Sequence, residues 1–230
     1  PYMPLKRRLY VSRQDVKQGP HQGQEILTAG KALDEAQAAL VLIHGRGASA
    51  YDILELGSYL AAPEMAQLAP QATNNTWYPH SFLNPLEQNE PYLSSALQFV
   101  ADVVDAGEAA GIAAEKIIIG GFSQGACLAS EFMARHARRY GGLLLFSGGL
   151  IGPPGTSRDY EGSLGDTPVF LGCSDVDFHI PLERVEETAE VLSQLGAKVN
   201  KQIYPGMGHT IIEDEIEQAR KIVAEVASGA

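Results

Sequence analysis

A Gly-x-Ser-x-Gly pentapeptide at residues 121–125 places tight limits on the local fold. The run before it, residues 116–120, contains three consecutive isoleucines and predicts a buried strand, whereas residues 126–134 predict a helix. A sharp turn between them would hold Ser123 at a strained backbone angle, and the flanking glycines would let strand and helix pass closely. This context predicts a nucleophilic serine. The alternative is a tight turn in which Ser123 only caps the helix.

Short apolar runs alternate with helix-period stretches along the rest of the chain. Several apolar runs are continuous, which is typical of strands that are covered on both faces in a largely parallel sheet. The pattern therefore predicts a doubly wound, mostly parallel α/β sheet in one domain spanning residues 1–230. The predicted strands are 26–29, 39–44, 66–69, 116–120, 143–147, 168–172 and 199–204, and the predicted helices are 52–61, 92–110, 124–136, 182–195 and 214–227.

A serine nucleophile needs a general base and an acid that orients this base. His209 is the best candidate for the base because it lies late in the chain, in a glycine-bearing loop before the last helix. Asp175 and Asp177 both follow the predicted strand 168–172, and spacing alone does not choose between them. His179 lies on the same loop as these carboxylates, which leaves it badly placed to reach Ser123.

The developing oxyanion of an acyl transfer needs backbone N–H donors. Residues 42–48 follow the first central strand, and their glycines would let N–H groups face a cavity. We expect one donor from this loop and one from Gln124, the residue after the nucleophile. The side chain of Arg46 has two interpretations, a position at the mouth of the site or an ordinary surface arginine.

Four blocks of the sequence match a known family in order: residues 44–47 (HGRG), 121–126 (GFSQGA), 177–181 (DFHIP) and 208–209 (GH). Through these blocks the chain resembles the phospholipase/carboxylesterase family of α/β-hydrolases. The resemblance implies an α/β-hydrolase fold, with Asp177 as the acid because it lies four residues before a proline, and with oxyanion donors on the backbone of Arg46 and Gln124. Residues 75–82, together with residues 89–91, differ from acyl-protein thioesterases and resemble a bacterial hydrolase subgroup whose substrates are poorly defined.

These residues together predict a serine carboxylesterase that acts on small or short-chain acyl esters. Only about twenty residues separate the predicted strands 143–147 and 168–172, so we expect no large cap domain and a shallow site. The alternatives are an acyl-protein thioesterase or lysophospholipase-like hydrolase and, more remotely, a non-catalytic binding protein on the same fold. Four apolar loop residues could line an acyl pocket or pack as ordinary loop residues: Trp77, Tyr78, Phe82 and Ile151.

Composition bears on cofactors, partners and location. The formal net charge of −11 argues against nucleic acid and mildly disfavours polyanionic substrates, although a local cluster of cationic residues can override a net value. The histidines lack metal-ligand spacing and no phosphate-binding glycine loop follows the first strand, so we expect neither a metal nor a cofactor. No run approaches the roughly 20 apolar residues that span a bilayer, and two cysteines are too few for a disulfide framework. We expect a cytoplasmic protein, and a homodimer is one state that the sequence allows.

Overall fold

The computed structural model describes residues 7–9 and 19–229, which form a sheet of eight strands with helices on both faces. The strands are β1 (Arg7–Leu9), β2 (Ile26–Gly30), β3 (Ala38–Ile43), β4 (Met65–Pro70), β5 (Ile117–Phe122), β6 (Gly142–Phe146), β7 (Pro168–Ser174) and β8 (Lys198–Tyr204). The α-helices are α1 (Ala50–Leu60), α2 (Tyr92–Ala109), α3 (Gln124–Arg135), α4 (Leu182–Gln194) and α5 (Glu213–Ser228). In this part of the chain no helix is long and apolar enough to cross a membrane.

The strands lie in the order β1-β2-β4-β3-β5-β6-β7-β8. All neighbours from β4 to β8 pair in parallel, whereas β2 runs antiparallel to both β1 and β4. This arrangement confirms the mostly parallel sheet that the sequence predicted. The edge strand β1 was not predicted, because three residues at the start of the chain carry no periodic signal. No large cap domain is present in the described residues.

The apolar runs are continuous because the central strands are buried on both faces. Val41 and Ile43 belong to a cluster that includes the apolar residues of α2, α3 and α4. Leu40 and Leu42 face the other way and pack with α1 and α5. Every residue of β3 is therefore apolar and almost fully buried, in contrast to the alternating pattern of a strand with one solvated face.

The loop after β4, residues 71–91, is held in place by two buried histidines, His44 at the end of β3 and His21 in the turn before β2. His44 Nε2 accepts a hydrogen bond from Ala72 N–H at 3.1 Å, so its Nδ1–H donates to the carbonyl of Gly45 at 2.8 Å. His21 Nδ1 accepts from Thr73 N–H at 3.2 Å, so its Nε2–H donates to the carbonyl of Trp77 at 2.9 Å. Burial lowers the pKa of both imidazoles, which keeps each in the neutral form that these bonds require.

The start of α5 depends on a buried carboxyl group. Glu215 accepts a hydrogen bond from Ile212 N–H at 3.0 Å, while its second oxygen, Oε1, has no hydrogen-bond partner and lies against Gly172 of β7. Burial raises the pKa of this carboxyl from its ordinary value of 4.5 to about 7. The folded protein therefore binds a proton here that the unfolded chain releases above about pH 4.5.

The raised pKa of Glu215 predicts a pH-dependent effect of Glu215→Gln on stability. The native protein loses stability as the pH rises from about 4.5 to 7, because the unfolded chain releases this proton while the folded protein keeps it. The amide cannot ionise, so we expect the variant to gain as much as roughly 3 kcal/mol over the native protein at pH 8 and less than about 1 kcal/mol at pH 5. Urea unfolding at both values measures this gain. Glu217→Gln, an exposed position on the same helix, is the control, and an equal gain at both pH values would contradict the prediction.

Candidate active site

Ser123 occupies a sharp turn between β5 and α3. Its backbone angles are φ 55° and ψ −120°, in a region that L-residues rarely adopt, and its N–H donates to the carbonyl of Phe146 at 3.0 Å. A Cβ atom on Gly125 would overlap the carbonyl of Ile43, and one on Gly121 would lie 2.6 Å from the same oxygen. Both glycines are therefore needed for the turn. The side chain of Ser123 forms no helix-capping hydrogen bond, so it is free for another partner.

That partner is His209, in the loop between β8 and α5. His209 Nε2 lies 2.9 Å from Ser123 Oγ, and His209 Nδ1 lies 2.6 Å from Asp177 Oδ2. The Asp177 side chain is fully buried, and its other oxygen, Oδ1, accepts hydrogen bonds from the N–H groups of His179 (2.8 Å) and Ile180 (3.1 Å). An ionised Asp177 requires the proton on Nδ1, which leaves the Nε2 lone pair facing the serine hydroxyl.

Asp175, the other carboxylate of this loop, has a different contact. Its Oδ1 accepts a hydrogen bond from Gly206 N–H at 2.8 Å, and the neighbouring Ser174 hydroxyl accepts one from Gly208 N–H at 3.1 Å. Both bonds join the loop after β7 to the loop that carries His209. Asp175 therefore supports the position of the histidine from outside, while Asp177 contacts the imidazole itself.

The two cysteines are both buried near the site and both remain thiols. Burial raises the pKa of Cys127 and of Cys173 to about 12, so neither is a thiolate nucleophile near neutral pH. Cys127 lines the cavity beside Ser123. The Cys173 sulfur lies 3.9 Å from Asp177 Oδ2, the oxygen that faces His209, and donates a weak hydrogen bond to it.

Arg46 and Gln124 line the same cavity as Ser123. Their backbone N–H groups are the predicted oxyanion donors. Neither forms a hydrogen bond within residues 7–9 and 19–229. The Gln124 side chain has a role that the sequence did not suggest: Oε1 accepts from Trp77 N–H and Nε2 donates to the Tyr78 carbonyl, both at 2.9 Å. These two bonds fix the loop 71–91 against the start of α3.

The Arg46 side chain lies at the mouth of the cavity. Its guanidinium donates to three successive carbonyls of the loop 71–91, those of Tyr78 (2.9 Å), Pro79 (2.9 Å) and His80 (2.7 Å). It therefore joins the loop after β3 to the loop after β4. Of its two sequence interpretations, the structure supports the position at the site.

The cavity above Ser123 has a volume of about 550 Å³. Of the four residues for which the sequence allowed a place in an acyl pocket, Tyr78 and Phe82 line the cavity, but Trp77 and Ile151 do not. Trp77 is completely buried and its Nε1–H donates to the His44 carbonyl at 2.9 Å, and Ile151 is buried in the core. For these two residues the pocket prediction was wrong, because their loops fold inward and they complete the core. The full lining is Gly45, Arg46, Ala48, Tyr78, Pro79, His80, Ser81, Phe82, Phe122, Ser123, Gln124, Cys127, His179, Ile180 and His209.

The wall of the cavity at Phe82 is firmly held. The Phe82 carbonyl accepts a hydrogen bond from Gly152 N–H at 2.7 Å, and the guanidinium of Arg184 lies 5.7 Å from the centre of its ring. Arg184 also donates to the carbonyls of Leu150 (2.5 Å) and Gly152 (2.8 Å), so helix α4 fixes the loop that carries Phe82 and the loop after β6.

No group of three or more His, Cys, Asp and Glu side chains in the described residues is arranged to hold a metal ion.

A family model described as Phospholipase/Carboxylesterase matches residues 25–227. A crystal structure of a phospholipase/carboxylesterase from Dyadobacter fermentans superposes with a TM-score of 0.86 at 45% identity, over 90% of this chain and 99% of that one. Curated relatives are more distant. Acyl-protein thioesterase 1 of Candida albicans is 34% identical over 116 residues, 49% of this chain and 50% of the relative. A probable carboxylesterase of Oryza sativa is 23% identical over 85% of this chain and 91% of the relative. The chain thus spans about half the length of the thioesterase that it matches.

Proposed function

Because the chain belongs to the phospholipase/carboxylesterase family of serine hydrolases, we propose that it is a carboxylesterase with Ser123, His209 and Asp177 as its catalytic triad. The observation that carries the proposal is the continuous hydrogen-bonded path from Ser123 Oγ through His209 to the buried Asp177. The proposed substrate is a small-molecule ester with a short acyl chain. We place the enzyme in the cytoplasm, which its two free cysteines favour.

The proposed reaction begins with attack of Ser123 Oγ on the acyl carbonyl carbon. His209 Nε2 accepts the hydroxyl proton, and Asp177 stabilises the resulting imidazolium through Nδ1–H. The N–H groups of Arg46 and Gln124 are the proposed donors to the oxyanion. The imidazolium then protonates the leaving alcohol, which departs and leaves an acyl group on Ser123.

Deacylation repeats these steps with water as the nucleophile. His209 takes a proton from the water, the hydroxide attacks the acyl-serine, and the imidazolium returns the proton to Ser123 Oγ as the carboxylic acid leaves. The net reaction is ester plus water to acid plus alcohol. Neither half-reaction requires a metal or an organic cofactor.

The fixed wall of the cavity supports the preference for short acyl chains. Tyr78 and Phe82 are almost fully buried and line the cavity, so a long chain would have to displace core side chains. Phe82 is further restrained by Gly152 and Arg184, which hold its backbone and its ring. The acyl group must therefore fit within the existing space.

A series of 4-nitrophenyl esters from acetyl to palmitoyl tests this preference. We expect kcat/KM to peak at short chains and to fall for long ones, and we expect Phe82→Ala to move the optimum towards longer chains by enlarging the cavity. Phe178→Ala is the matched control, because Phe178 is 81% exposed and does not line the cavity. Rates that rise steadily to palmitoyl would contradict the short-chain proposal.

An acyl-protein thioesterase is the second candidate function. Relatives of that name support it, and so do two exposed apolar side chains beside the site, Val176 and Phe178, which could contact an acylated protein. The same triad would cleave a thioester. An S-acylated peptide and the O-acyl peptide of the same sequence distinguish the two functions: a strong preference for the thioester, with weak activity on small esters, would favour the thioesterase.

A further inference from the structure

The cavity differs in charge from the rest of the protein. The chain has 28 acidic residues against 17 lysines and arginines, yet none of the described residues that line the cavity is an aspartate or a glutamate. The lining does contain Arg46, His80 and His179, in addition to the proposed base His209. Together these residues form a cluster that supplies a guanidinium and imidazole N–H donors at one place in an acidic protein, and such a cluster attracts an anion.

Arg46 keeps both its charge and part of its hydrogen-bonding capacity. Three of its five N–H donors are used by the carbonyls of Tyr78, Pro79 and His80, so two remain. Carbonyl groups do not neutralise a guanidinium, and no carboxylate forms an ion pair with Arg46 in the part of the chain that the structure describes. The positive charge is thus held in place and uncompensated.

Hydrogen bonds hold the backbones of His80 and His179, whereas their ring nitrogens have no hydrogen-bond partner among the described residues. The His80 N–H donates to Asn89 and its carbonyl accepts from Arg46, while the His179 N–H donates to Asp177. Neither imidazole ring forms a hydrogen bond within residues 7–9 and 19–229. Each ring carries at least one N–H in either protonation state, so each can donate to an oxygen of a ligand.

The position of His179 identifies which half of the ester faces this cluster. Its ring lies edge-on to the ring of His209, with centroids 4.7 Å apart. In the proposed reaction His209 protonates the leaving alcohol, so His179 lies on the alcohol side of the scissile bond. In this assignment the acyl group lies against the apolar residues Tyr78, Phe82 and Cys127, which line the same cavity.

We propose that the preferred substrates are esters whose alcohol half carries a carboxylate, which Arg46, His80 and His179 bind. This inference rests on the proposed esterase function and names its substrate class. The reaction is ester plus water to a short carboxylic acid and a hydroxy acid that keeps its carboxylate. Arginine and imidazole N–H groups are well suited to carboxylate oxygens because hydrogen bonds that involve a charge are shorter and stronger than neutral ones.

The test compares 3-acetoxybenzoate with 3-acetoxybenzamide, which share the acetyl group and the ring and differ in charge. The carboxamide withdraws more electrons and gives the better leaving phenol, so an advantage of the carboxylate ester reflects binding. We expect kcat/KM to be on the order of tenfold higher for the carboxylate, and the ratio to decrease with added salt. A ratio near one at low salt would overturn the inference.

Variants identify the residues responsible. His80→Gln, His179→Gln and Arg46→Gln should each reduce the ratio of the two kcat/KM values, and this ratio cancels any loss that affects both esters equally. His136→Gln is the matched control, since this histidine stacks on Phe132 outside the cavity and should leave the ratio unchanged. A high ratio that survives all three substitutions would also overturn the inference.

A binding measurement separates this inference from the proposed function. Calorimetric titration of Ser123→Ala with 3-hydroxybenzoate and 3-hydroxybenzamide requires no turnover. Tighter binding of the carboxylate, by on the order of tenfold and lost in His179→Gln, supports the inference even if neither acetate ester is hydrolysed. Equal binding overturns it. Hydrolysis of both esters at equal rates would leave the esterase function standing without the proposed charge preference.

Discussion

Replacement of Ser123 by alanine is expected to reduce kcat on 4-nitrophenyl acetate by about a millionfold, to the level that the remaining binding groups supply. The reason is geometric. Ser123 Oγ is 2.9 Å from His209 Nε2, and its backbone at φ 55° directs it into the cavity. Both cysteines are protonated thiols, so no thiolate near the site replaces the missing hydroxyl. Initial rates at matched enzyme concentration measure the loss.

The control for this substitution is Ser130→Ala on the same helix. The Ser130 hydroxyl is buried and donates to the carbonyl of Cys127 at 2.9 Å, so its loss affects α3 without affecting the cavity. A fluorophosphonate probe should add its mass to the native protein and to Ser130→Ala but not to Ser123→Ala. Activity that remains in Ser123→Ala above a thousandth of the native rate would show that another group is the nucleophile.

The sequence predicted the elements because their pattern depends on local physics. Continuous apolar runs occur wherever a strand is covered on both faces, and β3 and β5 are of this kind. Helix ends agreed within about two residues, as at α2, which runs from Tyr92 to Ala109 against a prediction of 92–110. The order of the strands, by contrast, depends on contacts between distant segments, and a one-dimensional pattern does not encode it.

Loop residues were the least predictable part of the site. Aromatic residues in a loop near an active site can face the ligand or the core, and the choice depends on where their polar atoms find partners. Trp77 is fixed inward by the carbonyl of His44, whereas Tyr78, its neighbour, lines the cavity. The side-chain contacts of Arg46 and Gln124 with the same loop were missed for a similar reason. Their partners are backbone carbonyls and N–H groups. Nearly every residue has these groups, so no residue type in the sequence indicates which of them will form the bond.

The choice of the acid in the proposed triad shows most clearly what residue spacing in the sequence cannot decide. Asp175 and Asp177 lie two residues apart after the same strand, and only the resemblance to a known family favoured Asp177. In the structure Asp177 contacts the imidazole of His209 at 2.6 Å, and Asp175 contacts the backbone of Gly206. The backbone turn between them directs one side chain into the protein and leaves the other exposed. The two carboxylates therefore provide a matched pair for mutagenesis.

Asp177→Asn is expected to reduce kcat by about ten thousandfold with little change in fold. Asp177 Oδ1 accepts hydrogen bonds from the N–H groups of His179 and Ile180, so the oxygen of an asparagine will occupy that position. Its NH₂ group is then directed at His209 Nδ1, which must become the acceptor. The proton moves to Nε2, and the histidine can no longer accept the proton of Ser123.

Asp175→Asn should lose less than roughly tenfold, because the asparagine oxygen still accepts the hydrogen bond from Gly206 N–H. Steady-state kinetics of both variants on one short-chain ester, with thermal unfolding to establish equal folding, measures the contrast. Equal losses would mean that both carboxylates act on the histidine, and a larger loss in Asp175→Asn would assign the acid to Asp175. A ten-thousandfold loss confined to Asp177→Asn would show that the tautomer of His209, rather than the charge of the loop, is what the acid controls.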